Sequence, residues 1–250
     1  MNDVPLPPDP DPAARVRALQ VHVLVDDTDR SGGYVTERLR EHGAELTWID
    51  RDTIDSPWSA DGVDLVLSLG SERSAHEPRW ADVVEAESDV VRVAVGSGVP
   101  VMAICYGAQL VARALGGTSY RGDGAEIGWR RVDTLDEVLC PEGPWGQFHQ
   151  DVLSPPPTSR VIGSSWFGPQ CFVDEAFGAR VIAWQFHPEV TPETFSRWVD
   201  ESADLVRVSG SEPGELKRQA LANATRSRLA AFALVDAALD HLGVAVPRPV

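Results

Sequence analysis

The sequence predicts an α/β protein built on an open, mostly parallel sheet with helices on both faces. Three observations carry this reading. Apolar strand-like runs alternate with helical periodicities from Leu19 to Leu115, the connections are short, and glycines punctuate the ends. At 250 residues the chain suits one large domain or two small ones.

Taken in order, Leu19–Val25 (LQVHVLV) is an apolar strand, followed by a turn over 26–32. A short helix over Tyr34–Glu41 is closed by Gly43. Ala44–Ile49 and Val63–Leu69 continue as strands, the second running into Gly70. Trp80, Val83, Val84, Val91 and Val95 recur at helical spacing, which predicts a helix over Trp80–Val95. Val99–Ile104 is another apolar strand, and Tyr106–Leu115 a helix stopped by Gly116 and Gly117. From Glu126 the pattern shortens into β-like pieces at Ile127–Val132, Arg160–Ser165, Gln170–Val173 and Arg180–Phe186. These extend the sheet or form a small antiparallel annex. Pro192–Val208 reads as one helix burying Phe195, Val199 and Leu205.

After Gly210, Ser211 and Pro213 suit a helix start. Phe232, Val235, Leu239 and Leu242 then recur at helical spacing before Gly243. This predicts an appended amphipathic helix that packs on its own domain or, alternatively, presents a partner surface. The expected organisation is an acidic, proline-rich tail over 1–15, one domain over 16–209, and a helical extension over 210–250.

Charge and composition exclude several classes. With 22 Lys and Arg against 38 Asp and Glu, the formal charge is −16, and no basic cluster offers phosphate contacts. Nucleic acid is therefore not expected as a partner. No apolar run is long enough to span a membrane, and the first residues lack the basic and apolar regions of a secretory signal. A soluble, cytoplasmic protein is expected. Cys105, Cys140 and Cys171 show neither CxxC nor Cys/His ligand spacing, so no disulfide framework, metal or cofactor is expected.

The chemistry concentrates in VPVMAICYGAQLVARALGG, Val99 to Gly117. An apolar strand runs into Cys105, turns within Cys105-Tyr106-Gly107 and enters a helix. Such an elbow presents the thiol at the carboxyl edge of the sheet and points a helix amino terminus at it, which favours the thiolate. A base must come from elsewhere. His22 lies within a strand, His42 at a helix end, His241 in the terminal helix and His76 in a loop. His187 differs. It sits in Trp184-Gln185-Phe186-His187-Pro188-Glu189, just past an apolar strand and at the edge expected for Cys105. Glu189 can turn back across Pro188 to orient the imidazole, completing nucleophile, base and orienter.

The I-C-Y-G-A-Q elbow followed by Q-F-H-P-E resembles the class I glutamine amidotransferases, a Cys-His-Glu triad family. Leu69–Ser74 (LGSERS), Glu126–Trp129 (EIGW) and Phe148–Asp151 (FHQD) extend the resemblance from about Leu19 to Val208. It is most similar to free-standing, GMP-synthase-like amidotransferase domains with a flavodoxin-like sheet. The resemblance implies Cys105 as nucleophile, His187 as general base and acid, and Glu189 as its orienter. It implies the backbone N–H groups of Ser71 and Tyr106 as the oxyanion hole. Gln109, His149, Gln150 and Asp151 are placed at the glutamine pocket.

Two departures stand out. The family's G-G-P-x-S loop is Gly70-Ser71-Glu72-Arg73-Ser74 here, and its W-H-x-D segment has Phe148 in place of tryptophan. A Cβ at Ser71 restricts positive φ, so the loop predicts a hole that is not preformed and slow turnover until a partner binds. The expected function is glutamine hydrolysis supplying ammonia to a synthase on a separate chain. The alternatives are a free-standing hydrolase of γ-glutamyl compounds and, third, a catalytically silent regulatory module.

Overall fold

The computed structural model describes residues 17–27, 30–54 and 57–245. The expected tail over 1–15 and the last five residues of the expected extension lie outside them. In chain order the strands are β1 (Leu19–Val25), β2 (Ala44–Asp50), β3 (Leu65–Ser68), β4 (Val101–Ile104) and β5 (Thr118–Arg130). They continue as β6 (Asp133–Thr134), β7 (Trp145–Ser154), β8 (Arg160–Ser165), β9 (Gly168–Asp174) and β10 (Val181–Trp184). The helices are α1 (Gly33–Glu41), α2 (Ala81–Gly96), α3 (Tyr106–Ala114), α4 (Pro192–Glu201), α5 (Ala203–Val208) and α6 (Pro213–Leu242).

Eight strands form one sheet in the order β2-β1-β3-β4-β10-β9-β8-β6. From β2 to β10 the pairs are parallel, and β9, β8 and β6 extend the sheet antiparallel. Parallel strands need both faces covered, and this sheet has them. On one face Val21, Val23, Leu67, Met102, Ile104 and Ile182 pack with Val35 and Leu39 of α1 and Leu234, Val235, Ala238 and Leu239 of α6. On the other, Leu24, Val66, Val101, Ala103 and Val181 pack with Val84, Val90, Val91 and Ala94 of α2 and Leu110 and Val111 of α3. The apolar stripe of α6 is thus buried against its own chain, where Asp236 also binds Arg38 at 2.8 and 2.7 Å.

Two expectations are corrected. The expected antiparallel annex is present as a ribbon of β5 and β7, but β5 begins at Thr118 rather than Ile127, and β7 was not expected as a strand. β7 (WGQFHQDVLS) escaped notice because it lacks a run of β-branched residues, and Gly122 and Gly124 obscured the first half of β5. The helix expected over Pro192–Val208 breaks at Ser202, so Val206 is buried while Leu205 is half-buried. A third core joins Ile127, Trp129, Phe195, Val199, Val206 and Leu216, holding the ribbon against α4, α5 and the start of α6. Among the described residues no helix is long and apolar enough to cross a membrane.

Candidate active site

Three adjacent parallel strands end at one level and deliver the site. The register aligns Ser68 with Ala103 and Ile104 with Trp184. The residues that follow, Leu69–Ser71, Cys105 and Gln185–His187, therefore meet at the carboxyl edge of the sheet, where open α/β sheets place their ligand crevice. The Cys105 N–H donates to Trp184 O at 2.8 Å, and the His187 N–H to Gly146 O at 2.8 Å. The end of the ribbon thus braces the residue after Phe186.

Cys105 occupies φ 52° and ψ −112°, and among the described residues it is the one non-glycine with positive φ. Such a backbone costs about 1–3 kcal/mol and persists only where its surroundings dictate it. Here β4 on one side and α3 on the other do so. A Cβ at Gly107 would lie 2.2 Å from Ser68 O, so only glycine lets the elbow close against β3. No side chain caps α3, which leaves its first N–H groups directed at the site. The N–H groups of Ser71 and Tyr106 meet no acceptor among the described residues.

His187 Nδ1 lies 2.7 Å from Glu189 Oε1. The carboxylate fixes the ring, and the second ring nitrogen, Nε2, is buried without a hydrogen-bond partner among the described residues. Burial works to lower the His187 pKa, but the charges of Glu189 and then Cys105 outweigh it and hold it well above 6.5. Both Cys105 Cβ and His187 Cε1 border Gly70, so thiol, imidazole and loop share one small space. The Trp198 ring packs edge-on to His187 at 4.8 Å. Behind Glu189, α1 approaches so closely that a Cβ at Gly33 would lie 1.9 Å from Glu189 O, and Tyr34 N–H donates to that oxygen at 2.9 Å.

Residues 23–202 match the family model for glutamine amidotransferase class-I. The chain belongs to this family. Among its curated relatives, the glutamine-hydrolyzing GMP synthase of Aeropyrum pernix is 35% identical over 188 residues, covering 71% of this chain and 34% of the relative. The corresponding enzyme of Bradyrhizobium sp. is 31% identical over 194 residues, with the same coverage of 71% and 34%. The chain thus spans about a third of the length of the curated relatives it matches. Among solved structures, a glutamine amidotransferase from Thermotoga maritima superposes with a TM-score of 0.76 at 22% identity, covering 88% of this chain and 97% of that one. This likeness bears on the fold.

A cavity of 1120 Å³ opens beside Cys105. Of the pocket residues expected from sequence, Gln109, His149, Gln150 and Asp151 all line it. Gln109 Nε2 donates to Gln185 Oε1 at 3.2 Å, and Gln109 Oε1 has no partner among the described residues. His149 is held by Asp151 O at 3.0 Å and Gln147 Oε1 at 3.1 Å, with Glu126 Oε2 at 3.3 Å. Gln150 accepts from Arg121 at 2.8 Å, and Asp151 pairs with Arg121 at 2.7 Å and His76 at 3.4 Å. Among the described residues no cluster of His, Cys, Asp and Glu is arranged to hold a metal ion.

Cys140 and Cys171 do not line the cavity and are buried against each other beside Gly163 of β8. Burial, then the neighbouring Cys140, pushes the Cys171 thiol up, away from reactivity.

Sequence reasoning missed a second group, Arg51, Glu87 and Arg73, behind the loop. Arg51 directly follows a strand, and nothing in its neighbours announces that it is buried. Glu87 left a signal, since Val84, Glu87, Ser88 and Val91 share one helical stripe and all are buried.

Proposed function

We propose that the chain hydrolyses the side-chain amide of glutamine and supplies the ammonia to a separate synthase. The supporting observation is the strained Cys105 elbow beside a buried His187–Glu189 pair whose Nε2 is left unbonded toward the site. In this reading the Cys105 thiolate attacks the γ-carboxamide carbon, and the charge on its oxygen is met by the N–H groups of Ser71 and Tyr106. The C–N bond then breaks, and the His187 imidazolium gives its proton to the departing ammonia. Water, deprotonated by His187, cleaves the γ-glutamyl thioester to glutamate and returns the thiol. Glu189 keeps the ring aligned through both steps without leaving its place. The separate synthase is suggested by the glutamine-hydrolyzing GMP synthases among the relatives.

One observation favours a second reading. A cavity of 1120 Å³ exceeds what glutamine alone needs, as expected if bulkier γ-glutamyl compounds enter. A substrate panel separates the two. Release of ammonia from glutamine in preference to cleavage of γ-glutamyl amines and peptides, with transfer to the product of an added ATP-dependent synthase, supports the amidotransferase role. Preference for bulky γ-glutamyl substrates with glutamine poor would replace it by the hydrolase.

A further inference from the structure

We infer that Arg51, which does not itself line the cavity, is a positioning residue that holds both oxyanion donors in their working orientation; this rests on the proposed hydrolysis. Arg51 is buried at the end of β2, and its Nη2 donates to Leu69 O at 2.8 Å and Gly70 O at 3.0 Å. A trans peptide is planar, with its C=O and the following N–H pointing in opposite directions. Gripping Gly70 O from behind therefore turns the Ser71 N–H away from the guanidinium, toward the side where Gly70 borders Cys105 and His187. A flip of this peptide would break the Arg51 bond and swing a carbonyl oxygen into the space that the developing oxyanion needs.

The second donor is tied to the same hub. Arg51 Nη1 donates to Glu87 Oε1, and Glu87 Oε2 accepts from the Tyr106 hydroxyl at 2.6 Å. The guanidinium also lies 4.8 Å from the centre of the Tyr106 ring, in cation–π range. One buried ion pair thus joins the peptide bearing the Ser71 N–H to the residue bearing the other. Outside it, Arg73 binds Asp52 at 2.8 and 2.7 Å, and Ser71 Oγ accepts the Arg73 N–H at 3.1 Å, closing the loop from its far end. Ser71 adopts no positive φ in this arrangement. The missing second glycine of the loop then carries no penalty, because Arg51 supplies the constraint. The hole does not wait for a partner, in contrast to the expectation from the loop sequence.

The test compares wild type with Arg51→Lys, which keeps the charge but loses the fork that reaches Glu87 and two carbonyls at once. Loss of an aimed oxyanion donor costs on the order of 10²-fold in kcat, so kcat should fall by about that factor while KM stays within about threefold. Alkylation of Cys105 by iodoacetamide should keep its rate, since the thiol itself is untouched. Backbone hydrogen exchange over 69–74 should rise, with exchange in α6 unchanged. An unchanged kcat, or unchanged exchange over 69–74, overturns the inference. If wild type cleaves neither glutamine nor γ-glutamyl amides, the functional reading fails, and the exchange measurement still decides the clamp. Should Arg51→Lys not fold, Arg51→Met with Glu87→Leu removes the pair without stranding a charge, and the same readouts apply.

Discussion

Two buried ion pairs lie within reach of the same loop, and they use their hydrogen-bonding capacity differently. In the His187–Glu189 pair, one ring nitrogen and one carboxylate oxygen are bonded at 2.7 Å, while His187 Nε2 and Glu189 Oε2 have no partner among the described residues. In the Arg51–Glu87 pair Arg51 Nε is the one atom without a hydrogen bond among the described residues, and the others are engaged. Arg51 reaches Glu87, Leu69 O and Gly70 O, its Nε lies 3.3 Å from Asp26, and Glu87 also takes the Tyr106 hydroxyl. Unmet capacity in a buried polar group is costly, so its persistence points to a reacting partner. Capacity spent on the carbonyls of a loop and on a ring hydroxyl points to a fixed scaffold. In the proposed reaction the two pairs divide the work of moving protons and of holding the loop.

The sharpest way to break this contrast is to remove the proposed nucleophile. Cys105→Ala should lower turnover by on the order of 10⁶-fold while leaving thermal unfolding close to wild type. Measured turnover within tenfold of wild type would remove Cys105 from the chemistry, as would a glutamine-like electrophile that labels Cys140 or Cys171 first.

Breaking the scaffold should reverse the pattern. Glu87→Ala leaves the Arg51 charge buried without its partner, which should cost about 3–5 kcal/mol of stability in urea unfolding. Burial already pushes the Glu87 carboxyl up against the pull of Arg51 and Tyr106, so the pair is held at the expense of desolvation. A loss below about 1 kcal/mol would place this pair with ordinary surface ion pairs.

The orienter should give the smaller kinetic effect of the catalytic pair. Glu189→Gln keeps the shape and an acceptor, so turnover should fall by about 10²–10⁴-fold rather than to background. It also removes the leading influence that raises the His187 pKa, and nuclear magnetic resonance titration should find that pKa lowered in the variant. The sign carries to stability. A histidine raised above its unfolded value of 6.5 stabilises fully below that pH and loses the contribution as pH rises through the folded pKa. In Glu189→Gln the contribution should be smaller and its loss complete at a lower pH, because the unfolded value that sets the onset is unchanged. An imidazole titrating identically in both proteins would separate Glu189 from the ring.

What could be read from residues alone was local. The apolar runs of β3 and β4 are buried on both faces as continuous hydrophobic stretches, which is how parallel strands announce themselves, and β1 is interrupted only by the half-buried Gln20 and His22. The elbow at Cys105 was legible because strand, small turn and helix are contiguous, and the structure adds the positive φ that such a turn implies. The stop at Gly243 was equally local, a left-handed cap with φ 72°. The β5–β7 ribbon was not legible, since its strands are separated by β6 and alternate too weakly to name their partner.

The sequence by itself determined the alternation of elements and where Cys105 and His187, the candidate nucleophile and base, stand in it. Each of these depends on residues within about one turn or strand of one another. Only the tertiary structure decided that Arg51 is interior and that Glu87, 36 residues away, is its partner. An arginine after a strand is ordinarily solvated, and its burial becomes tolerable only when a distant carboxylate and the carbonyls of a folded loop surround it. That environment does not exist until β2, α2, α3 and the loop after β3 have assembled.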